Sequence, residues 1–181
     1  MISVDDALDR IFTKIPTPLA ETVALKNAHK RVLLKPLLAK HTQPPFDASA
    51  MAGYAVRAGE IEPGQPVFLA GTSQAGARCT GMMQSGECVR IFTGAPLPIG
   101  ADAVIMQEQA TAHGNQVVFE KAPRAGQSIR RKGNDFTEGK ELLQPGVGLT
   151  PMMLNLAASA NYASLDVARR PKLAVLATGD E

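Results

Sequence analysis

The chain has 181 residues, 45% of them hydrophobic and 20% charged, with a formal net charge of +2. That is an ordinary balance for a water-soluble globular protein, with room for one normal domain or two small ones. Aromatic residues make up only 4% and Trp is absent, so base-stacking platforms have little to build on and nucleic acid is not an expected partner.

No run approaches the ~18 apolar residues that cross a bilayer, since even LLKPLLA is broken by Pro36. A cytoplasmic protein without a membrane partner is the expectation. Cys79 and Cys88 occur without a CxxC pattern or a neighbouring His cluster and read as reduced thiols. His29, His41 and His113 share no ligand spacing, so no metal is assigned to them, and the GxSxG elbow of a Ser hydrolase is missing.

In chain order, SVDDALDRIFTKI at 3–15 predicts a helix: Ser3 is an N-cap candidate, Asp5 and Asp6 fall in the first turn, and Val4, Ala7, Leu8, Ile11 and Ile15 share one face. Pro16 and Pro18 end it. A second helix is expected over 24–33 from the spacing of Leu25, Ala28, Val32 and Leu33, and a short strand in LLAKHT. From Gln43 to about Gly148, Gly and Pro recur between short apolar runs such as QPVFLAG, CVRIFTG, ADAVIMQ and NQVVFEK, with turns at PGQP, HGN and RAGQ. This is β-rich punctuation. Thr150 and Pro151 then open another helix as N-cap and first helical residue, and SLDVA suggests a strand.

The last residues, PKLAVLATGDE, read as a buried strand, 173–179, breaking into a Gly turn with two carboxylates. In open α/β sheets ligands bind at such carboxyl ends. A strand of this kind calls for a following helix and a parallel neighbour. The expectation is therefore the front part of a longer protein. Its uncovered strand and the apolar face of helix 3–15 would favour association or a rearranged end.

Three internal stretches carry candidate chemistry. In FDASAMAGYAV (46–56), Ala50 and Gly53 let the backbone approach a ligand or another chain closely, or else a tight loop packs Met51 and Tyr54 into the core. In RIFTGAPLPIGADAVIMQEQ (90–109), Thr93 and Gly94 offer a hydroxyl and backbone N–H groups to a phosphate or oxyanion, or else simply end a strand. In GQSIRRKGNDFTEG (126–139), Arg130, Arg131 and Lys132 can steer an anion or form a solvated basic face, and Asp135 can shape a turn.

Taken with LAVLATGDE (173–181), these motifs in this order closely resemble the amino-terminal portion of the molybdopterin molybdenumtransferase family, the MoeA proteins and the related gephyrin E domain. The likeness covers essentially the whole chain. It implies an α+β fold, with a β-rich domain at 39–139 inserted into a small helical domain at 20–38 and 140–170. Residues 1–19 would pack on an α/β domain whose first strand is 171–181, with the rest of that domain and a carboxyl-terminal β domain absent.

The implied activity is insertion of molybdate into adenylylated molybdopterin with Mg²⁺ and release of AMP, in a dimer whose cleft is built from two subunits. Thr93, Asp135 and Glu181 would be catalytic, with Thr178, Gly179 and Asp180 at the terminal turn. Ser49, Gly53, Gly94, Arg130 and Arg131 would bind the cofactor substrate. The family's first motif usually reads SAMDGYA, and its Asp helps form the Mg²⁺ and phosphate end of the cleft, a natural role for carboxylate oxygen. Here Ala52 stands there, Asp47 is not an assumed substitute, and no residue of this chain is assigned as a metal ligand. An incomplete, inactive member is one expectation. A non-catalytic binding or dimerisation module, pairing with itself or with a full-length paralogue, is the other.

Overall fold

The structure is a computed structural model that describes residues 2–177. Its elements in chain order are α1 (Val4–Phe12), β1 (Ala20–Ala24), β2 (Leu37–Leu38), β3 (Ala48–Ser49), β4 (Gly53–Val56), β5 (Pro66–Ser73), β6 (Glu87–Ile91) and β7 (Ala103–Met106). There follow β8 (Ala110–His113), β9 (Gln116–Phe119), β10 (Ile129–Arg130), β11 (Glu141–Leu143), α2 (Pro151–Ser159) and β12 (Ser164–Ala168). The fold is α+β with strands predominating. Two compact units emerge: His41–Glu138, and the flanking segments up to Lys40 and from Gly139 on.

The inner unit is built on a six-stranded sheet of order β7-β4-β6-β5-β9-β8. All neighbours are antiparallel except β5 and β6, and residues 74–86 supply the long return that a parallel pair requires. Both faces are covered over β4, β6 and β7. Tyr54, Val56, Val67, Cys88, Ile105, Val117 and Phe119 pack on one side, and Ala55, Met83, Val89, Ile91, Leu97 and Val104 on the other. Strand β4 is consequently buried at every position, which is why its sequence reads as an unbroken apolar run rather than an alternation. Each such Val, Leu, Ile or Phe contributes about 1.5–3 kcal/mol by leaving water.

The outer unit gathers Leu33, Leu37, Leu149, Ala157, Leu165 and Val167 into its own core, beneath the antiparallel pairs β1–β12 and β2–β11. Helix α2 begins as its sequence predicts, with the Met153 N–H donating to Thr150 Oγ1 at 3.4 Å and Pro151 at the first position. The buried Arg31 guanidinium pairs with Glu21 at 2.7 Å and donates to the Ala168 carbonyl at 2.8 Å, holding the two strands together at one end of the β1–β12 ladder. Helix α1 is capped by Ser3, whose Oγ accepts the Asp6 N–H at 3.1 Å. Its apolar face is bare: Val4, Leu8, Ile11 and Phe12 are all exposed.

Two expectations need correction. Residues 24–33 do not form a helix; only a 3₁₀ turn at Leu25–Asn27 appears. Lys30 sits at φ 62°, outside helical space, and Leu33 and Val32 instead bridge Val167 and Gly148. Tertiary pairing outweighs local spacing here. The strand expected from 173 is not formed over 171–177 either, where Leu173, Val175 and Leu176 stand 86–94% exposed. A strand exists by virtue of a hydrogen-bonded neighbour, and among the described residues that segment has none. Thr178, Gly179, Asp180 and Glu181 lie outside the described residues.

Candidate functional site

A cleft of about 370 Å³ opens in the inner unit between the Gln43–Ala50 segment, the Thr93–Gly94 turn and Arg130. Its walls are set by short backbone pairings. Strand β3 pairs with β10, placing Ala48 opposite Arg130 and Ser49 opposite Ile129. The Ser49 N–H donates to the Ala95 carbonyl at 3.0 Å, and the Gly94 N–H donates to the Ser49 carbonyl at 2.8 Å. That reciprocal stitch fixes the Thr93–Gly94 turn against β3. Behind it, the buried Ser73 hydroxyl donates to the Pro96 carbonyl at 2.8 Å and anchors the APLP run.

Of the residues proposed from sequence, Ser49, Thr93, Gly94 and Arg130 thus line one cleft. Thr93 is exposed at its wall. Gly94 holds φ +80° with open space where a Cβ would stand, a conformation that side chains rarely adopt. Ser49 itself is buried and its hydroxyl donates to the Met51 carbonyl at 2.6 Å, so its side chain braces the loop while its backbone forms the wall. Met51 is 42% exposed, so the tight-loop alternative holds for Tyr54 alone, which is buried.

Gly53 has a different setting from the one its neighbours suggested. It begins β4 within the sheet, and a Cβ there would lie 1.9 Å from the Ile105 carbonyl oxygen. What its missing side chain admits is the backbone of β7.

The two arginines of the basic stretch are paired rather than bare. Arg130 Nη2 reaches both carboxylate oxygens of Asp135, at 2.5 Å to Oδ1. Arg131 Nη1 meets Asp47 Oδ2 at 2.6 Å, and the Lys132 N–H donates to Asp47 Oδ1 at 2.8 Å. The Lys132 backbone hydrogen bond is the largest influence and, with the Arg131 hydrogen bond and charge, holds the Asp47 carboxyl below its ordinary value of 3.8 against the opposing effect of burial. The 130–135 turn is further tied to the Pro-Pro segment by the Gly133 N–H on the Pro44 carbonyl at 2.9 Å and the Asp135 N–H on the Gln43 carbonyl at 3.0 Å.

Two residues that the sequence reading passed over support the loop from its other side. Arg90 donates to the Gly53 carbonyl at 3.0 Å and to Gln107 Oε1, with its guanidinium 5.1 Å from the Tyr54 ring and 5.0 Å from that of Phe92. The Gln107 N–H in turn donates to the Ala52 carbonyl at 3.2 Å. The signal for Arg90 was a cation inside the short run CVRIF, which in β6 sits opposite Tyr54.

The donor set does not fit Mg²⁺. Position 52 presents a methyl group, Asp47 and Asp135 are each engaged by an arginine, and among the described residues no three His, Cys, Asp or Glu side chains converge. Hard cations want several uncommitted oxygens. Cys79 and Cys88 are both free thiols. Burial, with a smaller contribution from Glu87, pushes the Cys88 thiol up to about 12, so it remains protonated.

Residues 2–161 match the family described as the MoeA N-terminal region (domain I and II). Over its full length the chain is 38% identical to a molybdopterin molybdenumtransferase of Haemophilus influenzae and 34% identical to one of Nostoc, covering 45% and 44% of those proteins. A solved molybdopterin biosynthesis MoeA protein from Pyrococcus horikoshii superposes with a TM-score of 0.84 at 26% identity, over 94% of this chain and 45% of that one. The chain therefore spans rather less than half the length of these relatives. By its matched residues and its fold, it belongs to the MoeA family.

Proposed function

We propose that this chain serves molybdenum cofactor biosynthesis, and that its cleft receives the anionic, phosphate-bearing part of adenylylated molybdopterin during molybdate insertion and AMP release. The observation that carries this reading is the convergence of Thr93, Gly94 and Arg130 on one cleft: a hydroxyl and a guanidinium are oxyanion-binding groups, and the Gly94 turn, whose N–H is taken by the Ser49 carbonyl, contributes open space beside them. Arg131 orders the same turn, and Thr93 and Asp135 stand nearest the reacting groups in this proposal. Equilibrium titration with AMP and with adenylylated molybdopterin tests it. Binding lost in Arg130→Ala is expected; binding indifferent to Arg130 defeats the assignment.

Turnover by the 181-residue polypeptide alone is not expected. Ala52 and the two engaged aspartates support this, because among the described residues they leave no carboxylate cluster for Mg²⁺. Efficient molybdate insertion with Mg²⁺ supplied would overturn it. The two free thiols support a reducing, cytoplasmic setting.

A second reading, a module that works by association, is favoured by the uncovered apolar residues of α1 and of 171–177. On it the protein forms homodimers or pairs with a full-length paralogue. Sedimentation across a concentration range should then show self-association, or co-purification with a full-length relative when the two are co-expressed. A persistent monomer that never co-purifies removes it.

A further inference from the structure

Arg130 is the cleft's guanidinium, yet its charge is already answered. Asp135 lies outside the cleft lining and places both carboxylate oxygens on Arg130 Nη2. The pair is half-open to water, with the Arg130 and Asp135 side chains 49% and 32% exposed. An exposed ion pair of this kind is held weakly and opens readily. Its neighbour differs in construction: Asp47 holds Arg131 with one oxygen and the Lys132 N–H with the other, so that carboxylate is bound into the backbone. Of these two pairs, that of Asp135 alone joins a cleft residue to a side chain outside the cleft.

We propose that Asp135 is a displaceable stand-in for the ligand: an incoming phosphate or other oxyanion takes its place on Arg130, and the carboxylate is released as the anion binds. This rests on the reading of the cleft as an oxyanion site and assigns how that site is kept filled when empty of ligand. The exchange is one anion for another on the same guanidinium, so Arg130 is never left without a counter-charge. It makes the uncharged-cleft state cheap to maintain and spends part of each ligand's binding free energy on evicting Asp135. It also couples occupancy to the release of Asp135, so that this carboxylate is available only when an anion is present.

The test is a double-mutant cycle on the intact 181-residue protein, with inorganic phosphate and AMP as probes, read by calorimetry and by the Arg130 side-chain NMR signals. Asp135→Asn should tighten phosphate binding roughly tenfold, and this gain should vanish in the Arg130→Ala background. In the wild type, titration with phosphate should shift the Arg130 guanidinium resonances as the partner changes. That second readout needs no variant and stands even if a substitution impairs folding, which a thermal melt would show. Tightening that persists without Arg130 would mean simple charge repulsion and overturn the exchange, as would an unchanged affinity in Asp135→Asn with Arg130 still required. If the wild type and Asp135→Asn both fail to bind either probe, the oxyanion-site reading itself falls.

Discussion

The stretch 46–56 is continuous in sequence but belongs to two regions that use small residues for opposite ends. Through Ala50 it borders the cleft, where small side chains leave space for something to enter. From Gly53 onward it is the middle of a sheet covered on both faces, where a missing Cβ lets the Ile105 carbonyl come within contact. Openness and closeness are thus encoded by the same residue types a few positions apart. Composition alone does not separate them; the neighbouring strand does.

The sharpest way to break this contrast is Gly53→Ala. A Cβ placed 1.9 Å from a backbone oxygen must move β4 or β7, and the expected loss exceeds about 3 kcal/mol of unfolding free energy in urea titration. A loss below about 1 kcal/mol would show that the sheet accommodates the methyl group. Gly94→Ala addresses the open side. With φ at +80° it should cost about 1–2 kcal/mol through backbone strain and, beyond that, weaken phosphate binding by filling the cleft. Strain without loss of binding would separate the turn from the site.

A smaller effect concerns the clamp between the two regions' flanks. Because the folded Asp47 carboxyl titrates below 3.8, its contribution is complete above that value and is lost as pH falls through the lowered one. Asp47→Asn should therefore flatten the acid limb of a melting-temperature profile between pH 5 and 2, by no more than about 1 kcal/mol for a partly exposed pair. Identical acid limbs would show that the pair adds nothing. Smallest of all in stability is Ala52→Asp, expected to stay within about 0.5 kcal/mol at a half-exposed position. Its interest is a gain of Mg²⁺ affinity by titration; no gain would mean that position 52 was given too much weight.

Much of the sheet was legible because its strands announce themselves as short apolar runs between turn residues, as in ADAVIMQ, buried almost throughout, and NQVVFEK, where Val117 and Phe119 turn inward. The capped helices were legible for a similarly local reason, since Ser3 and Thr150 act within three residues. The 24–33 segment was misread because its apolar residues answer to Val167 and Gly148, far along the chain. Site residues fared likewise. Thr93, Gly94 and Arg130 could be nominated one by one, but Asp47 meets Arg131 across 84 positions, a pairing that no spacing rule reveals. Even Arg130 and Asp135, close neighbours in one motif, read as separate roles until the geometry joined them.

The two thiols offer the protein a clock of its own. Cys79 is partly open to solvent, whereas Cys88 is sealed in the sheet and kept protonated. An alkylating reagent will therefore mark the first at once and the second only during moments when β6 comes apart from its neighbours. The lag between the two labels measures how often the scaffold behind the cleft opens, with no residue of the protein replaced.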